Sequence, residues 1–298
     1  MIGRREFLAS ALAAGQSTAA PTQFQLACMT LPYSAFPLAR ALSGIKAAGY
    51  RYVAWGVNHK EADGIARPAL AVDAPEREAA TLAARCRDMG LEPVMMFSTV
   101  HLEAANAQDA HLRRIGQAAA ARVPFLLTFG KTAPGEQEAF IRNLKAMAPQ
   151  ARAAGVTVVV KQHGGNSGTG QACARILKAV GESSVRMCYD AGNVLDYEKQ
   201  DPIPDIKTCI QDIRAFAIKD HRNTPRSEDC GPGFGEIDHY KLLQPFLRTG
   251  LTIPLACENI FEPLVARPAS PDGIDALARR AREYMDSVLR GLKSYGDL

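Results

Sequence analysis

VTVVVKQHGG, residues 156–165, is the stretch from which the fold is read. Gly155 before it suits the end of a helix, and Val156 to Val160 is an unbroken, mostly β-branched run. Lys161, Gln162 and His163 follow at once, then Gly164 and Gly165. A strand buried on both faces that opens into a polar site at its C-terminal end has this profile. Polar loop stems are common after such strands, but two glycines beside the charges suggest a close backbone approach there.

The same grammar recurs outward from this stretch. AGYRYV at 48–53, MGLEPV at 89–94, AGVTVV at 154–159 and TGLTIP at 249–254 each place glycine where a helix can close, directly ahead of strand-forming residues. Strands are expected at Phe24–Met29, Arg51–Trp55, Pro93–Ser98, Val123–Phe129, Val156–Val160, Val185–Tyr189, Ile213–Lys219 and Leu251–Cys257. Helices are expected at Pro37–Ala48, Pro75–Met89 with Asp73 as its cap, Gln108–Ala121, Pro134–Ala154, Gln171–Val180, a short one after Pro204, one from Asp238 to Arg248, and Pro271–Leu292. Eight strands alternating with helices fit a closed (β/α)8 TIM barrel of the α/β class, and no GxGxxG after the first strand supports an open nucleotide-binding sheet.

A barrel of roughly 250 residues folds as one domain, so the expectation is a single domain over residues 21–298. With a net charge of +4, 7% aromatic residues and no Lys/Arg run longer than two, nothing resembles a nucleic-acid-binding surface. A small-molecule partner fits better, and stable membrane insertion is not expected because no apolar stretch is long enough to span a bilayer. Seven cysteines show no CxxC spacing, and Cys28, Cys188 and Cys257 read as small buried hydrophobes in strands. Gly3 to Leu8, GRREFL, followed by an Ala/Leu stretch and small residues from Ser17 to Ala20, resembles a twin-arginine export signal over residues 1–20. That resemblance implies an exported, periplasmic protein that folds before oxidation; an ordinary basic N-terminus ahead of a short helix is the competing reading.

In a barrel of this kind reactive groups gather at the C-terminal ends of the strands. Those ends supply Lys161 and His163, then Asp190 and Asn193, then Lys219, Asp220 and His221, and finally Glu258 and Asn259. Glu258 closes the apolar run Ile253–Cys257, where an ionised carboxylate needs a partner. Asp190 is also placed to cap the next turn, and Lys219 with Asp220 can form a self-satisfied pair at the rim. His59 and His101, in earlier loops, are candidates to line a substrate pocket, whereas His111 reads as an exposed helical residue.

Five segments, GVTVVVKQH at 155–163, YDAGN at 189–193, FAIKD at 216–220, GFGEID at 233–238 and CEN at 257–259, together resemble the xylose isomerase-like barrels of the sugar phosphate isomerase/epimerase superfamily, from about Phe24 to the C-terminus. The resemblance implies a divalent metal (Mn, Mg or Zn) held by Glu, Asp, His and Glu on strands five to eight, with the glutamates moving protons as a sugar is enolised. In this chain those positions are Lys161, Asp190, Ala217 and Glu258. Asp190 and Glu258 remain as metal ligands and two donors are replaced. A lysine ammonium has no lone pair to offer a metal, but it can neutralise two carboxylates. Asn193 stands where the resemblance places histidine; it can bond a hydroxyl but cannot shuttle protons near neutral pH.

The function expected is therefore proton transfer next to the carbonyl of a sugar, keto-sugar or polyol: isomerisation, epimerisation or elimination. Glu258 is the acid or base, Lys161 the cation for an enediolate and His163 a second proton carrier, with Asn193, Asp220, His221, His59 and His101 as substrate contacts. No nucleotide cofactor is expected. The alternative is a carbohydrate-binding barrel that has lost turnover with part of its metal site; an abasic-site endonuclease of the same superfamily would need a richer set of histidines than the six present.

Overall fold

A computed structural model describes residues 19–131 and 135–296. The export-type segment at 1–20 lies outside them apart from its last two residues.

Eight parallel strands close into a barrel: β1 (Gln23–Met29), β2 (Tyr52–Trp55), β3 (Glu92–Phe97), β4 (Phe125–Thr128), β5 (Thr157–Lys161), β6 (Val185–Tyr189), β7 (Ile213–Ile218) and β8 (Thr252–Cys257). Each pairs with its sequence neighbours, and β1 pairs with β8 from Gln23↔Thr252 to Cys28↔Cys257, which leaves no free edge. The helices that cover it are α1 (Leu38–Ala47), α2 (Glu76–Asp88), α3 (Ala107–Ala121), α4 (Gln137–Ala153), α5 (Gly170–Val180), α6 (Ala191–Glu198), α7 (Pro202–Ile206), α8 (His239–Leu243) and α9 (Pro271–Gly296).

Side chains alternate across each strand, so every strand feeds two cores. The larger lies between sheet and helices and takes Val158 and Val160 of β5, Met187 and Tyr189 of β6, and Leu255 and Cys257 of β8. The smaller fills the barrel interior with Met95, Leu127, Val159, Cys188, Ala215, Ala217 and Ala256. From β6 to β8 that interior is lined by the small side chains of Cys188, Ala215, Ala217 and Ala256, on the side where the charged residues emerge.

Most elements fall within a few residues of the expected ones, and the differences have local causes. The helix after Pro75 starts without a side-chain cap, so Asp73 does not serve as one. The Asp238-capped helix stops at Leu243 and continues as a 3-10 turn through Gln244–Phe246, with Pro245 unable to donate to an α-helical ladder. Helix α6 and two antiparallel ribbons, Asn58–Lys60 with Ala66–Pro68 and Asp220–Arg222 with Glu228–Cys230, were not anticipated. All seven cysteines are free and buried.

Candidate active site at the barrel mouth

The alternation that builds the interior also builds the site. Val159, Cys188, Ala217 and Ala256 point inward, so the residues two further on, Lys161, Asp190, Lys219 and Glu258, stand on the same inner side at the C-terminal mouth. Register holds them together: Lys161 is level with Cys188, and Cys257 with Ile218. Immediately after β5, Gly164 and Gly165 take φ of 71° and 54°, the left-handed region that glycine enters without strain, which turns the chain sharply away below His163.

Lys161 Nζ lies 2.7 Å from both carboxylate oxygens of Glu258 and 3.2 Å from Asp190 Oδ2. Side-chain exposure is 4% for Lys161, 0% for Asp190 and 14% for Glu258, so Glu258 is the most accessible of the three. Asp190 also caps α6, its Oδ1 accepting from Asn193 N at 2.9 Å. Lys219 contributes a second ammonium to the field and pairs with Asp229 Oδ2 at 2.5 Å. Burial pushes the Asp190 carboxyl up to about 6, against the pull of Lys219 and Lys161 and with the help of the neighbouring Glu258 charge. Burial would raise Glu258 too, but Lys161 and Lys219 overcome it and hold it down at about 2. Burial disfavours the charged form of Lys161, yet the Glu258 and Asp190 charges raise its pKa, so the amine stays an ammonium.

Beside the ion cluster stands an aromatic wall. The His163 ring lies 4.5 Å from Phe129, 6.1 Å from His101 and 5.7 Å from the exposed Tyr197, and Lys161 Nζ is 5.8 Å from the centre of Phe129. His163 Nδ1 bonds the Gly130 carbonyl at 2.8 Å; a carbonyl only accepts, so Nδ1 carries the proton and Nε2 keeps its lone pair. Burial lowers the His163 pKa, so the ring is neutral at pH 7.

The remaining candidates divide. Asn193 is buried, its Nδ2 donating to the Gln162 carbonyl at 2.6 Å while Oδ1 has no partner. Asp220 organises the loop after β7, its oxygens accepting the amides of His221, Gly233 and Ile237 at 2.9, 3.0 and 3.0 Å. The self-satisfied Lys219–Asp220 pair is replaced by Lys219 with Asp229. His221 is buried between Asp229 Oδ1 at 3.0 Å and Ser227 Oγ at 3.1 Å. His59 is the buried middle residue of the Asn58–Lys60 strand of the first ribbon, with Nδ1 on the Phe36 carbonyl, whereas His101 joins the aromatic wall. His111 is not exposed: it is fully buried, with Nδ1 on Ala107 O and Nε2 on Thr128 Oγ, both at 2.7 Å.

Residues 42–286 match the family model described as xylose isomerase-like TIM barrel. The chain belongs to this family. No curated protein matches it. Among solved structures of the same fold, an L-ribulose 3-epimerase superposes with a TM-score of 0.71 at 17% identity, covering 91% of this chain and 96% of that one. A xylose isomerase-like TIM barrel protein from Mycobacterium smegmatis in complex with magnesium gives 0.67 at 15% identity, covering 92% and 98%. The probable 3-DHS dehydratase AsbF from Bacillus anthracis gives 0.62 at 10% identity, covering 86% and 97%.

A divalent metal does not fit between Asp190 and Glu258 in this member of the xylose isomerase-like family. The Lys161 ammonium already occupies the space between them, a second ammonium lies alongside, and Ala217 on the inner face of β7 has no donor atom. Among the described residues one group could hold a metal: Asp196, His221 and Asp229, whose ligand atoms lie within 4.8 Å of one another. Its donors already have partners in the structure: His221 Nε2 bonds Ser227 Oγ at 3.1 Å, and Asp229 accepts from His221 Nδ1 on Oδ1 and from the Lys219 ammonium on Oδ2.

Proposed function

We propose that this chain is an enzyme that moves a proton beside the carbonyl of a sugar, keto-sugar or related polyol, giving isomerisation, epimerisation or elimination. The observation that carries the reading is the Lys161 ammonium held by Glu258 and Asp190 at the barrel mouth. Removing a proton next to a carbonyl breaks a C–H bond and sends its electron pair toward the carbonyl oxygen. A fixed ammonium that is already charged meets that developing anion without reorganisation. As the oxygen takes a share of Lys161, Glu258 loses part of the partner that holds its pKa down, and burial then raises its affinity for the proton. Glu258 is thus the group that accepts the proton, and His163, neutral with Nε2 bare, is the second carrier. Schiff-base chemistry at Lys161 is disfavoured, because both carboxylates keep the amine protonated.

Both ammonium groups of the cluster have acidic partners, which favours an uncharged substrate over a phosphorylated one. The rings of Phe129, His101, His163 and Tyr197 offer a face to the C–H side of a sugar, and Asn193 Oδ1 offers an acceptor to a hydroxyl. A divalent metal, if the reaction uses one, would fall to Asp196, His221 and Asp229, and no Gly-rich loop after β1 calls for a nucleotide. The Gly3–Ala20 segment supports export to the periplasm by the twin-arginine route.

The test is incubation with aldoses, ketoses and 3-keto-glycosides in deuterated water, with mass detection of deuterium at carbon. Exchange that disappears in Glu258→Gln is expected. Sugar binding with neither exchange nor product overturns the enzyme reading in favour of a carbohydrate-binding barrel, which the closed Lys161–Glu258 pair would also suit.

A further inference from the structure

We infer that the side chain of Lys161 is a built-in substitute for a divalent metal, so that the mouth of this barrel works on a tethered charge that cannot be lost by chelation or exchanged. This deepens the proposed function, but it concerns what the pocket holds and is read without turnover.

Three observations converge on it. First, the ammonium makes the contacts a bound cation would make: both oxygens of Glu258 at 2.7 Å and Asp190 Oδ2 at 3.2 Å. Asp190 Oδ2 is buried with no hydrogen-bond donor, so the nearby ammonium supplies its compensating charge. Second, the donors are too few. Lys161 can only donate, and Ala217, inward-facing on β7, leaves its position without a ligand, so of these four positions only the two carboxylates can bind a metal, and the ammonium stands between them. Third, Lys219 adds a second positive charge whose field reaches both Asp190 and Glu258, and its own tip is fixed by Asp229 at 2.5 Å. A dication at the centre would face two ammonium groups in a buried space, where like charges repel most strongly.

The chemistry differs from that of a metal in a definite way. A metal polarises a carbonyl as a Lewis acid, whereas an ammonium stabilises the enediolate by charge and hydrogen bonds. Its carbon chain also fixes where the positive charge sits, on β5, with no coordination sphere that can rearrange.

The experiment is metal analysis of untagged protein after incubation with Mn(II) and Zn(II), on the full chain and without any substrate. Wild type, Asp190→Asn, Glu258→Gln, His221→Gln and the double variant Lys161→Glu/Ala217→His are compared, with circular dichroism reporting the fold. Metal in the wild type, whatever its level, is expected to fall with His221→Gln and to be unmoved by Asp190→Asn. The double variant, built in the His221→Gln background, is expected to gain about one equivalent, since deprotonated oxygen and imidazole donors then converge. Should that variant fail to fold, the single change Lys161→Glu in the same background takes its place, its third carboxylate expected to bind Mn(II) as read by paramagnetic resonance. A stoichiometric wild-type metal that Asp190→Asn or Glu258→Gln removes overturns the inference. So does a folded double variant that takes up nothing, or a folded Lys161→Glu variant with no bound Mn(II). Failure of the deuterium-exchange test leaves these readouts untouched, so the two ideas fall separately.

Discussion

Glu258 grips the Lys161 ammonium with both oxygens of its carboxylate, each 2.7 Å from Nζ, across the gap between β5 and β8. The contact joins residues 97 positions apart and closes the charged half of the mouth.

Removing the cation leaves two buried acids facing each other. Lys161→Met is expected to lower unfolding free energy by about 3–5 kcal/mol at pH 7, the usual cost of leaving a buried pair half-made. Urea denaturation measures it, and the deficit should shrink toward pH 4, where the uncovered carboxyls take up protons.

Glu258→Gln is expected to reduce deuterium exchange about 10²–10⁴-fold, the range for loss of a positioned proton carrier. The same variant should move the Asp190 titration below about 6, because the Glu258 charge is one of the influences that pushes it up. Carboxyl carbon shifts read this directly, and an unmoved Asp190 would separate the two acids.

The two acids tilt stability in opposite directions with pH. Asp190, raised to about 6 in the fold, contributes stability that is complete below its unfolded pKa of about 3.9 and is lost as pH rises through 6. Glu258, lowered to about 2, contributes stability that is present above its unfolded pKa of about 4.3 and is lost as pH falls toward 2. Asp190→Asn should therefore flatten the pH dependence of unfolding between 4 and 6 while leaving the more acidic limb in place.

His163→Gly is expected to cut kcat more than KM, with partial rescue by added imidazole. The rescue distinguishes loss of a proton carrier from loss of packing against Phe129, 4.5 Å away.

Asp220→Ala tests the structural role. Three amides lose a shared charged acceptor, so the amides of Gly233 and Ile237 should exchange markedly faster, with a stability loss of about 3 kcal/mol or more.

The barrel was legible in the chain because its signals are local: Gly49, Gly90, Gly155 and Gly250 close helices with positive φ directly ahead of strands. Lys161, Asp190 and Glu258 were legible as strand-end residues, since an inward strand position projects its next inward neighbour to the mouth. Other parts needed three dimensions. The β6–β7 pairing shifts register between Met187 and Cys188, so how Asp190 meets its neighbours could not be counted from strand lengths. Asp229 reaches Lys219 and His221 only because a three-residue ribbon folds back along Asp220–Arg222, too short to leave a periodic trace. Tyr197 comes to the His163 ring on α6, for which the sequence offers only Asp190 as the cap of a turn. His111 was misjudged because its partner, Thr128, belongs to another element and makes a polar ring acceptable in the core.

The two sides of β5 answer to different demands. Val158 and Val160 hold the strand to its helices, while Val159 and Lys161 face the lumen. Substitutions on the lumen side therefore change the charge balance of the barrel mouth while leaving the strand's seam with its helices as it is.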